Sequence, residues 1–247
     1  MEELRTSNVH LIKGDCLEVM KNIPDKSVDM ILCDLPYGTT VCKWDNIIPF
    51  EHLWKQYNRI IKDNAAILLF AQTPFDKVLG ASNLKMLRYE WIWEKEQGTG
   101  FLNAKKMPLK SHENILVFYK KLPTYNPQMI NVGKGWKSGT SKKYEGYGKF
   151  IHKAGEENKT GLRYPKSVIR FQKQNGLHPT QKPVELLKYL IRTYTNDGET
   201  ILDNCMGSGS TGQAVLEVGG DRKFIGIEMN DNYFDIAYNR INGYIYK

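Results

Sequence analysis

Short apolar runs alternate with segments of helical periodicity along most of the chain, and this alternation constrains the fold more than any other feature. The runs VDMILCD (28–34) and AAILLFA (65–71) are continuously apolar over the length of a strand. Between them, residues 49–64 carry apolar side chains at helical spacing and end at Asp63 and Asn64. Such runs joined by helices are typical of a parallel sheet covered on both faces. We therefore predict an α/β fold.

The other predicted elements follow the same pattern on both sides of a long central segment. Further strands are predicted at 9–15, 89–95, 114–120, 199–205 and 223–229, and further helices at 16–23, 75–84, 183–195, 210–219 and 230–244. Pro183 at the start of one helix and Gly219 at the end of another fit their usual helical positions. The sheet is thus expected to contain seven strands.

The central segment from Lys120 to Lys173 carries the positive charge of the protein. It contains thirteen Lys or Arg residues and three Glu, a local charge of +10, whereas the whole chain has a formal charge of +8. It shows no clear periodicity, and it is long for a connection within a compact domain. Residues 133–149 also mix lysines with Gly, Tyr and Trp, which suits a nucleic-acid backbone. A solvated surface loop is the alternative interpretation.

Composition bears on the number of domains, the location of the protein and the presence of disulfides or metal sites. The 247 residues suffice for one domain with a smaller insertion. No run of 18 apolar residues and no signal-peptide pattern occur, so we expect a cytoplasmic protein with no membrane partner. The four cysteines form no CxxC pair, and the five histidines show no ligand spacing. Neither a disulfide framework nor a metal site is therefore expected.

Two turns at strand ends carry residues of chemical interest. Asp34-Leu35-Pro36-Tyr37 places a carboxylate and an aromatic ring directly after an apolar run, which a simple capping turn would also explain. The segment GSGSTG (207–212) matches a glycine-rich nucleotide loop between a strand and a helix. Glu228 follows about twenty residues later, where an acid binds ribose hydroxyls in dinucleotide folds.

Taken alone, the glycine loop suggests an NAD-dependent oxidoreductase. However, only 18 residues follow Met229, too few to complete a dinucleotide-binding sheet. The missing strands must come from the N-terminal half of the chain. The nucleotide-binding half then stands last in the sequence, and the turn at Asp34 stands first.

This order of motifs resembles that of the amino-group DNA methyltransferases that use S-adenosylmethionine, in the permuted arrangement called the beta class. Asp34-Leu35-Pro36-Tyr37 corresponds to the family's Asp-Pro-Pro-Tyr motif, and LDNCMGSGSTG (202–212) to its cofactor loop. FIGIEM (224–229), GDCLEVM (14–20) and HPTQKP (178–183) also match in the family's order. Five ordered motifs are far more specific than any single one.

The resemblance implies a Rossmann-like methyltransferase fold with a mostly parallel seven-stranded sheet, helices on both faces, a circularly permuted motif order and an inserted basic recognition region. Residues 1–120 would form the catalytic half, 121–175 the target-recognition region and 176–247 the cofactor-binding half. Asp34 and the Leu35 carbonyl would bind the amine of a flipped-out base, Pro36 would fix the turn and Tyr37 would stack on the base. The cofactor would contact Asp15, Cys16, Asp34, Thr180, Lys182, Asp203, Asn204, Cys205, Gly207, Gly209, Ser210, Glu228 and Met229.

Duplex DNA is the implied substrate, and a homodimer and a partner restriction endonuclease are further expectations from the family. Phosphate contacts are expected in the basic segment, from Lys134, Lys137, Lys142, Lys143, Arg163 and Arg170. Asp at position 34 favours adenine N6 as the target over cytosine N4, since Ser is commoner there in cytosine enzymes. A nucleic-acid-binding module without catalysis is the third possibility.

The chain departs from the family pattern at two places. Leu35 stands where the catalytic motif has its first proline, and Asn204-Cys205 stands where the cofactor loop has Pro-Phe. A leucine can still supply the backbone carbonyl, although with less rigidity. Cys205 removes an aromatic ring expected beside the adenosyl group.

Overall fold

A computed structural model describes residues 2–39, 45–137, 157–172 and 181–245. The strands are β1 (Glu3–Arg5), β2 (Val9–Lys13), β3 (Val28–Asp34), β4 (Ile61–Ala71), β5 (Leu87–Thr99), β6 (Lys110–Phe118), β7 (Ile130–Asn131), β8 (Trp136–Lys137), β9 (Glu157–Asn158), β10 (Leu162–Arg163), β11 (Val168–Arg170), β12 (Thr200–Asp203) and β13 (Lys223–Glu228). The helices are α1 (Cys16–Met20), α2 (Phe50–Ile60), α3 (Phe75–Ser82), α4 (Val184–Tyr194), α5 (Ser210–Val218) and α6 (Asp231–Ile245), and a 3₁₀ helix spans Phe101–Asn103.

Nine of these strands form one sheet in the order β1-β2-β13-β12-β3-β4-β6-β5-β11. Strands β2, β13, β12, β3 and β4 are parallel, and the antiparallel β6 separates β4 from β5. The seven predicted strands form the continuous centre of the sheet. The short strands β1 and β11 extend it at the two edges, which confirms the α/β prediction and adds two strands to the predicted number.

The helices cover both faces of the sheet because side chains alternate along each strand. Met30 and Leu32 of β3 pack with α4, α5 and α6 on one face, whereas Ile31 and Cys33 pack with α1, α2 and α3 on the other. Both clusters consist of buried apolar side chains. Burial on both faces explains why these strands are continuously apolar rather than alternating in sequence.

The chain divides into two compact units. The first contains Met1–Asn126 and Ser167–Lys247, and the second contains Pro127–Lys166. The second unit has two antiparallel strand pairs, β7 with β10 and β8 with β9, each two residues long. It lies within the segment 121–175 for which the sequence predicts a recognition region.

The strand order brings distant motifs to one edge of the sheet. Leu202 of β12 pairs with Ile31 of β3, so the turn after Asp34 and the glycine loop after Asp203 leave neighbouring strands at the same end. Glu228, at the end of β13, pairs with Lys13 at the end of β2. In parallel α/β sheets, ligands bind at this carboxyl edge, where the strand order reverses. None of the described helices is long and apolar enough to cross a membrane.

Candidate active site

The turn after β3 is held by side chains within and beyond it. The Tyr37 hydroxyl donates to Asp34 Oδ1 at 2.7 Å. The backbone amides of Gly38 and Thr39 donate to the Asp45 carboxylate at 2.8 and 2.9 Å. Gly38 has a φ of 65°, a left-handed conformation that a glycine adopts without strain. The turn therefore fixes both the carboxylate and the aromatic ring predicted to be catalytic.

Lys182 reaches the same carboxylate from the segment before α4. Its Nζ lies 2.6 Å from Asp34 Oδ2 and 3.1 Å from Glu113 Oε2, and its side chain is only 8% exposed. Lys95 contacts the other Glu113 oxygen, so four charged side chains form one chain in the order Asp34, Lys182, Glu113, Lys95. This arrangement balances two carboxylates with two ammonium groups in a mostly buried position.

Burial and charge act in opposite directions on these groups. Burial lowers the pKa of Lys182, but the Asp34 and Glu113 carboxylates outweigh it and raise this pKa above its ordinary value. Burial raises the pKa of Glu113, whereas Lys182 and Lys95 together lower it below its usual range. Burial, reinforced by the Asp34 charge, raises the pKa of Tyr37 well above its ordinary value. Tyr37 therefore stays a neutral hydrogen-bond donor to Asp34 at neutral pH.

The glycine loop after β12 is organised by two acids. Asp203 accepts hydrogen bonds from the Thr211 hydroxyl at 2.6 Å and from the Cys205 amide at 3.2 Å. Glu228 accepts from the Gly207 amide at 2.9 Å and thereby joins the end of β13 to the loop. Burial raises the pKa of Asp203 to about 7 and also raises the pKa of Glu228. Both carboxylates therefore stabilise the loop, and both also line the adjoining cavity.

A close helix contact explains one glycine of the loop. Gly209 precedes α5 with a φ of 77°, and a Cβ there would lie 2.9 Å from the Ala237 Cβ of α6. The same helix ties the loop to the Lys182 segment. Arg240 donates to Ser208 Oγ at 3.3 Å and to Gln181 Oε1 at 2.6 Å.

The two departures from the family pattern have clear structural surroundings. Leu35 is buried in the core cluster on the α1, α2 and α3 face of the sheet. A proline ring is smaller than this side chain and would fill less of the same space. Asn204 accepts a hydrogen bond from the buried Tyr57 hydroxyl, and its amide nitrogen lies 3.4 Å from Cys205 Sγ. Asn204 thus anchors the loop to α2, a polar role that the Pro of the family motif cannot perform.

One cavity of about 390 Å³ contains nearly all the predicted site residues. This volume lies within the range of small-molecule sites. Predicted residues that line it are Asp15, Cys16, Asp34, Leu35, Pro36, Tyr37, Lys182, Asp203, Asn204, Cys205, Gly207, Ser210, Glu228 and Met229. Gly209 lies in the loop but is not among the lining residues, and Thr180 lies outside the described residues. Asp15 also accepts from the Leu17 and Glu18 amides as the N-cap of α1, so it has a structural role as well.

Several lining residues have no motif that could reveal them. Glu113 precedes the apolar run of β6, and Asp45 follows the catalytic turn, yet both face the cavity. Phe70 and Gln72 also line it, from the end of β4 and just beyond. The only sequence signal for Glu113 is an acid directly before an apolar strand. Its role depends on the antiparallel direction of β6, which brings the start of that strand to the carboxyl edge.

The predicted DNA contacts that lie among the described residues are exposed, and they are divided between the two compact units. Lys134, Lys137 and Arg163 belong to the second unit, where the Arg163 guanidinium lies 5.4 Å from the centroid of the Trp136 ring. Arg170 belongs to the first unit and pairs with Glu94 on the neighbouring strand at 2.8 Å. Lys142 and Lys143 lie outside the described residues.

An α/β sheet with a carboxylate turn and a glycine loop opening into one cavity defines an enzyme that brings a nucleotide-like cofactor to a second substrate. The family model N6_N4_Mtase, described as DNA methylase, matches residues 28–239. The match spans most of the chain, so the protein belongs to this family of DNA methyltransferases. The resemblance predicted from the five motifs is thereby confirmed, and the oxidoreductase alternative is removed.

Individual relatives are similar over nearly the whole chain. The DNA adenine methyltransferase YhdJ of Escherichia coli (strain K12) is 29% identical over 252 residues, which cover 94% of this chain and 82% of the relative. The M1.HpyAVI–SAM complex has a TM-score of 0.62 at 22% identity and covers 94% of this chain and 99% of its own. The cytosine-N4-specific PvuII DNA methyltransferase has a TM-score of 0.67 at 16% identity, with coverages of 95% and 86%.

Proposed function

We propose that the protein transfers a methyl group from S-adenosylmethionine to the exocyclic N6 of adenine at specific sites in duplex DNA. The observation that carries the proposal is the single cavity in which the Asp34 turn meets the glycine loop and Glu228. A methyl donor bound at the loop and an amine bound at the turn would then share one enclosed space. Positioning two reactants in this way supplies much of the catalysis of a direct displacement.

Asp34 has the capacity to bind the amine without losing its present partners. A carboxylate offers about four lone-pair directions. Tyr37 and Lys182 occupy one on each oxygen, so further acceptor sites remain for an N–H group of the base. The Leu35 carbonyl would accept the second N–H group. Two acceptors on one amine favour a more tetrahedral and more nucleophilic nitrogen.

The partners of Asp34 give this site its rigidity. Tyr37 and Lys182 each make a short hydrogen bond to the carboxylate, and Glu113 holds Lys182 from the other side. The carboxylate is therefore oriented before the substrate arrives, which lowers the reorganisation needed during the reaction. Lys182 acts here as a positioning residue for Asp34.

The base must leave the duplex because its amine is inaccessible to this cavity inside the helix. Tyr37 is the aromatic ring closest in sequence to the carboxylate, and one of its faces packs on Phe75 with a ring-centroid distance of 4.9 Å. Lys182 Nζ lies 5.8 Å from the centroid of the same ring, and the flipped base would stack on the part of the ring that Phe75 does not cover. Stacking of a base on an aromatic ring contributes about 1–3 kcal/mol and offsets part of the cost of unstacking.

The residues of the cavity fit S-adenosylmethionine. Glu228 at the end of β13 suits the ribose hydroxyls, and Asp15 and Cys16 at the start of α1 lie on the side proposed for the adenine. An ammonium group carries three donors. Lys182 donates one to Asp34 and forms an ion pair with Glu113. A remaining donor would reach the carboxylate of the cofactor. The bound cofactor supplies a methyl group already activated on a sulfonium.

The second unit would hold the DNA through its exposed cations Lys134, Lys137 and Arg163. Lys142, Lys143 and Arg170 complete the proposed contacts. In this scheme residues 121–175 form the recognition region between the catalytic and cofactor-binding halves. A homodimer, a partner restriction endonuclease and a cytoplasmic location are the further predictions carried from the family.

The test of the proposal is to incubate the protein with labelled S-adenosylmethionine and mixed duplex DNA, then to digest the DNA and separate the nucleosides. Label in N6-methyl-2′-deoxyadenosine, absent with Asp34→Ala, is the expected result. The same experiment with Leu84→Ala, an exposed residue between α3 and β5, controls for the handling of a variant. No label in any nucleoside with the wild-type protein would refute the proposed activity.

Cytosine N4 is the second candidate. Its exocyclic amine offers the same two N–H groups to Asp34 and the Leu35 carbonyl, and the cytosine-N4-specific PvuII enzyme has a similar fold. Adenine as the target is supported by Asp at position 34 and by the adenine methyltransferase among the relatives. Label in N4-methyl-2′-deoxycytidine would decide for the alternative.

A further inference from the structure

The hairpin that joins β5 to β6 has an unusual surface. All residues from Phe101 to Lys110 are exposed, and the large apolar side chains Phe101 and Leu102 are 81% and 95% exposed. Met107 and Leu109 of the same tip are about half exposed. Single exposed apolar residues are normal on soluble proteins, whereas a cluster of them marks an interaction site. We call residues 99–110 the hairpin tip.

The hairpin tip has a defined backbone structure. Gly100 has a φ of 89° and starts the 3₁₀ helix Phe101–Asn103. The Asn103 amide donates to the Gly100 carbonyl, and the amides of Lys106 and Met107 donate to the Asn103 carbonyl. Thr99 and Lys110 pair across the base of the tip. Internal hydrogen bonds hold Phe101 and Leu102 on a structured turn, so their exposure is a property of the fold.

The hairpin tip lies next to the cavity along a continuous strand. Glu113 of β6 lines the cavity, and Lys110 begins the same strand three residues earlier. Three residues of extended chain span about 10 Å, so the tip starts roughly that far from the cavity wall. It projects from the same carboxyl edge as Asp34, because β6 runs antiparallel to β4.

The charge of the hairpin tip selects the kind of partner. Lys105, Lys106 and Lys110 are its charged residues, and the twelve residues contain no Asp or Glu. Three like charges disfavour contact between two copies of this tip. The same charges favour a polyanion. Apolar side chains flanked by lysines are the pattern of protein wedges that enter the base stack of DNA.

We propose that the hairpin tip is a second DNA-binding element, in which Phe101 and Leu102 enter the duplex beside the target base while the three lysines bind the flanking phosphates. This proposal rests on the proposed function, because the wedge fills the space that the flipped base leaves. It assigns to residues 99–110 a contact that is independent of the basic segment 121–175. Occupying the vacated space lowers the cost of keeping the base in the cavity.

Sequencing of the methylated DNA first identifies the target site. The experiment then compares methyl transfer on two substrates that contain this site. One is the matched duplex, and the other carries an abasic residue opposite the target base, so that the target is already unpaired. Phe101→Ala/Leu102→Ala should lose about tenfold or more in kcat/KM relative to wild type on the matched duplex, because the opening of the base pair is no longer assisted. On the abasic duplex the loss should be less than about threefold, because the base pair is already open.

A matched double variant controls for the removal of surface side chains. Val78→Ala/Leu84→Ala removes two apolar residues that are 54% and 68% exposed and that belong neither to the cavity lining nor to the segment 121–175. It should behave as wild type on both duplexes. Equal rates for the hairpin variant and wild type on the matched duplex would overturn the proposal, and so would an equal loss on both duplexes.

Two further measurements test the lysine contacts and the possibility of a protein interface. Lys105→Ala/Lys106→Ala should lower the slope of DNA affinity against salt by about 0.9 for each phosphate that is no longer neutralised, and an unchanged slope would contradict the lysine contacts. Sedimentation of Phe101→Ala/Leu102→Ala should match that of wild type. A changed oligomeric state would assign the tip to a protein interface instead. If wild type methylates neither duplex nor any mixed DNA, the proposed function itself fails.

Discussion

The charged residues of the cavity and those of the second unit, Pro127–Lys166, differ in burial and in pairing. In the cavity, Lys182 is almost fully buried and contacts two carboxylates, one of which also contacts Lys95. In the second unit, Lys134, Lys137 and Arg163 are exposed, and Arg163 lies over a tryptophan ring. A buried charge is stable only when paired, whereas an exposed cation remains available to a polyanion.

Under the proposed function, the cavity and the second unit have two different tasks. The cavity needs charges fixed in place before the substrate arrives, because a misplaced carboxylate would lose its effect on the amine. DNA binding needs charges that exchange their counterions for phosphates. We therefore expect cavity variants to change the rate and the stability, and second-unit variants to change the salt-dependent affinity.

The largest effect is expected for Lys182→Met. The variant leaves the Asp34 and Glu113 carboxylates close together without their shared cation, so breaking this buried pair should lower the free energy of unfolding by about 3–5 kcal/mol. Methyl transfer should fall on the order of 100-fold, as when one preorganised donor is removed from a reacting site. Single-turnover rates and urea unfolding measure the two quantities.

The matched control is Lys188→Met on α4. Lys188 is also mostly buried and also contacts two carboxylates, Glu185 and Glu217, but it lies outside the cavity. This variant should lose stability while keeping its rate. A Lys182→Met protein that methylates DNA as fast as wild type would contradict the positioning role of Lys182.

A smaller effect is expected for Glu113→Gln, which removes one of two carboxylates on Lys182. The rate should fall about tenfold, equivalent to about 1.4 kcal/mol, because Lys182 and with it Asp34 become less firmly held. Combined with Lys182→Met, the substitution should cost less than the sum of the single changes, since it removes a buried charge that has lost one of its two cationic partners. Unfolding of the two single variants and the double variant measures this coupling.

Glu94→Gln is the control for the same chemical change at an exposed pair. Glu94 contacts Arg170 on the surface, and such pairs contribute little. This variant should match wild type in rate and stability. Additive effects of Glu113→Gln and Lys182→Met would show that the buried chain of charges does not act as a unit.

Removal of the second-unit cations should leave the rate at saturating DNA unchanged. Lys134→Ala/Lys137→Ala/Arg163→Ala should weaken DNA binding and lower the dependence of log affinity on log salt by about 0.9 for each phosphate left without its cation. Fluorescence anisotropy of labelled duplex at several salt concentrations measures both changes.

The corresponding control removes three exposed lysines of the first unit that lie outside the basic segment, in Lys55→Ala/Lys77→Ala/Lys85→Ala. Its salt dependence should stay close to that of wild type. If both triple variants change the slope equally, only the net charge matters and the second unit has no special role. A fall in rate at saturating DNA would instead place these cations in the catalytic step.

For Asp203→Asn the expected effect concerns the pH dependence of the free energy of unfolding. The unfolded carboxyl releases its proton near pH 3.8, whereas the folded one, with its pKa raised by burial, keeps it until about pH 7. Between these values the folded protein holds the extra proton, so this group's stabilisation is complete below pH 3.8 and is lost as the pH rises towards 7. Asparagine cannot titrate but can still accept from Thr211.

The stability of Asp203→Asn relative to wild type should therefore increase as the pH rises from about 4 to 7. Thermal unfolding of both proteins across this range measures the difference. Thr193→Ser, a buried change away from the cavity, should give a curve parallel to wild type. If the Asp203→Asn curve is also parallel, Asp203 is already ionised in the folded protein at low pH.

Much of the fold could be predicted because strands buried on both faces are continuously apolar in sequence. The run from Val28 to Asp34 forms β3 with the predicted bounds, and Pro183 directly precedes α4 as expected. Strand β4 begins at Ile61, inside the predicted helix, because Ile61 extends away from α2 and pairs with Val28. Local periodicity cannot detect such a change, which depends on the neighbouring strand.

The motif residues of the cavity could be predicted, whereas their partners could not. The position of Lys182 in the cavity follows from its motif, but its pairing with Asp34 and Glu113 depends on sheet order. Glu113 and Lys95 lie on antiparallel strands whose direction no local pattern reveals. The exposure of Phe101 and Leu102 could not be predicted either, since apolar residues in a sequence normally indicate burial.

The contacts of Arg240 connect the proposed sites of cofactor binding and base binding. This side chain bonds both to Ser208 in the glycine loop and to Gln181, the residue directly before Lys182. A cofactor that shifts the loop would therefore shift Lys182, the cation beside Asp34. A base that binds Asp34 would in turn affect the position of the loop. If cofactor and base binding are coupled through Arg240, thermodynamics requires each to change the affinity for the other by the same factor.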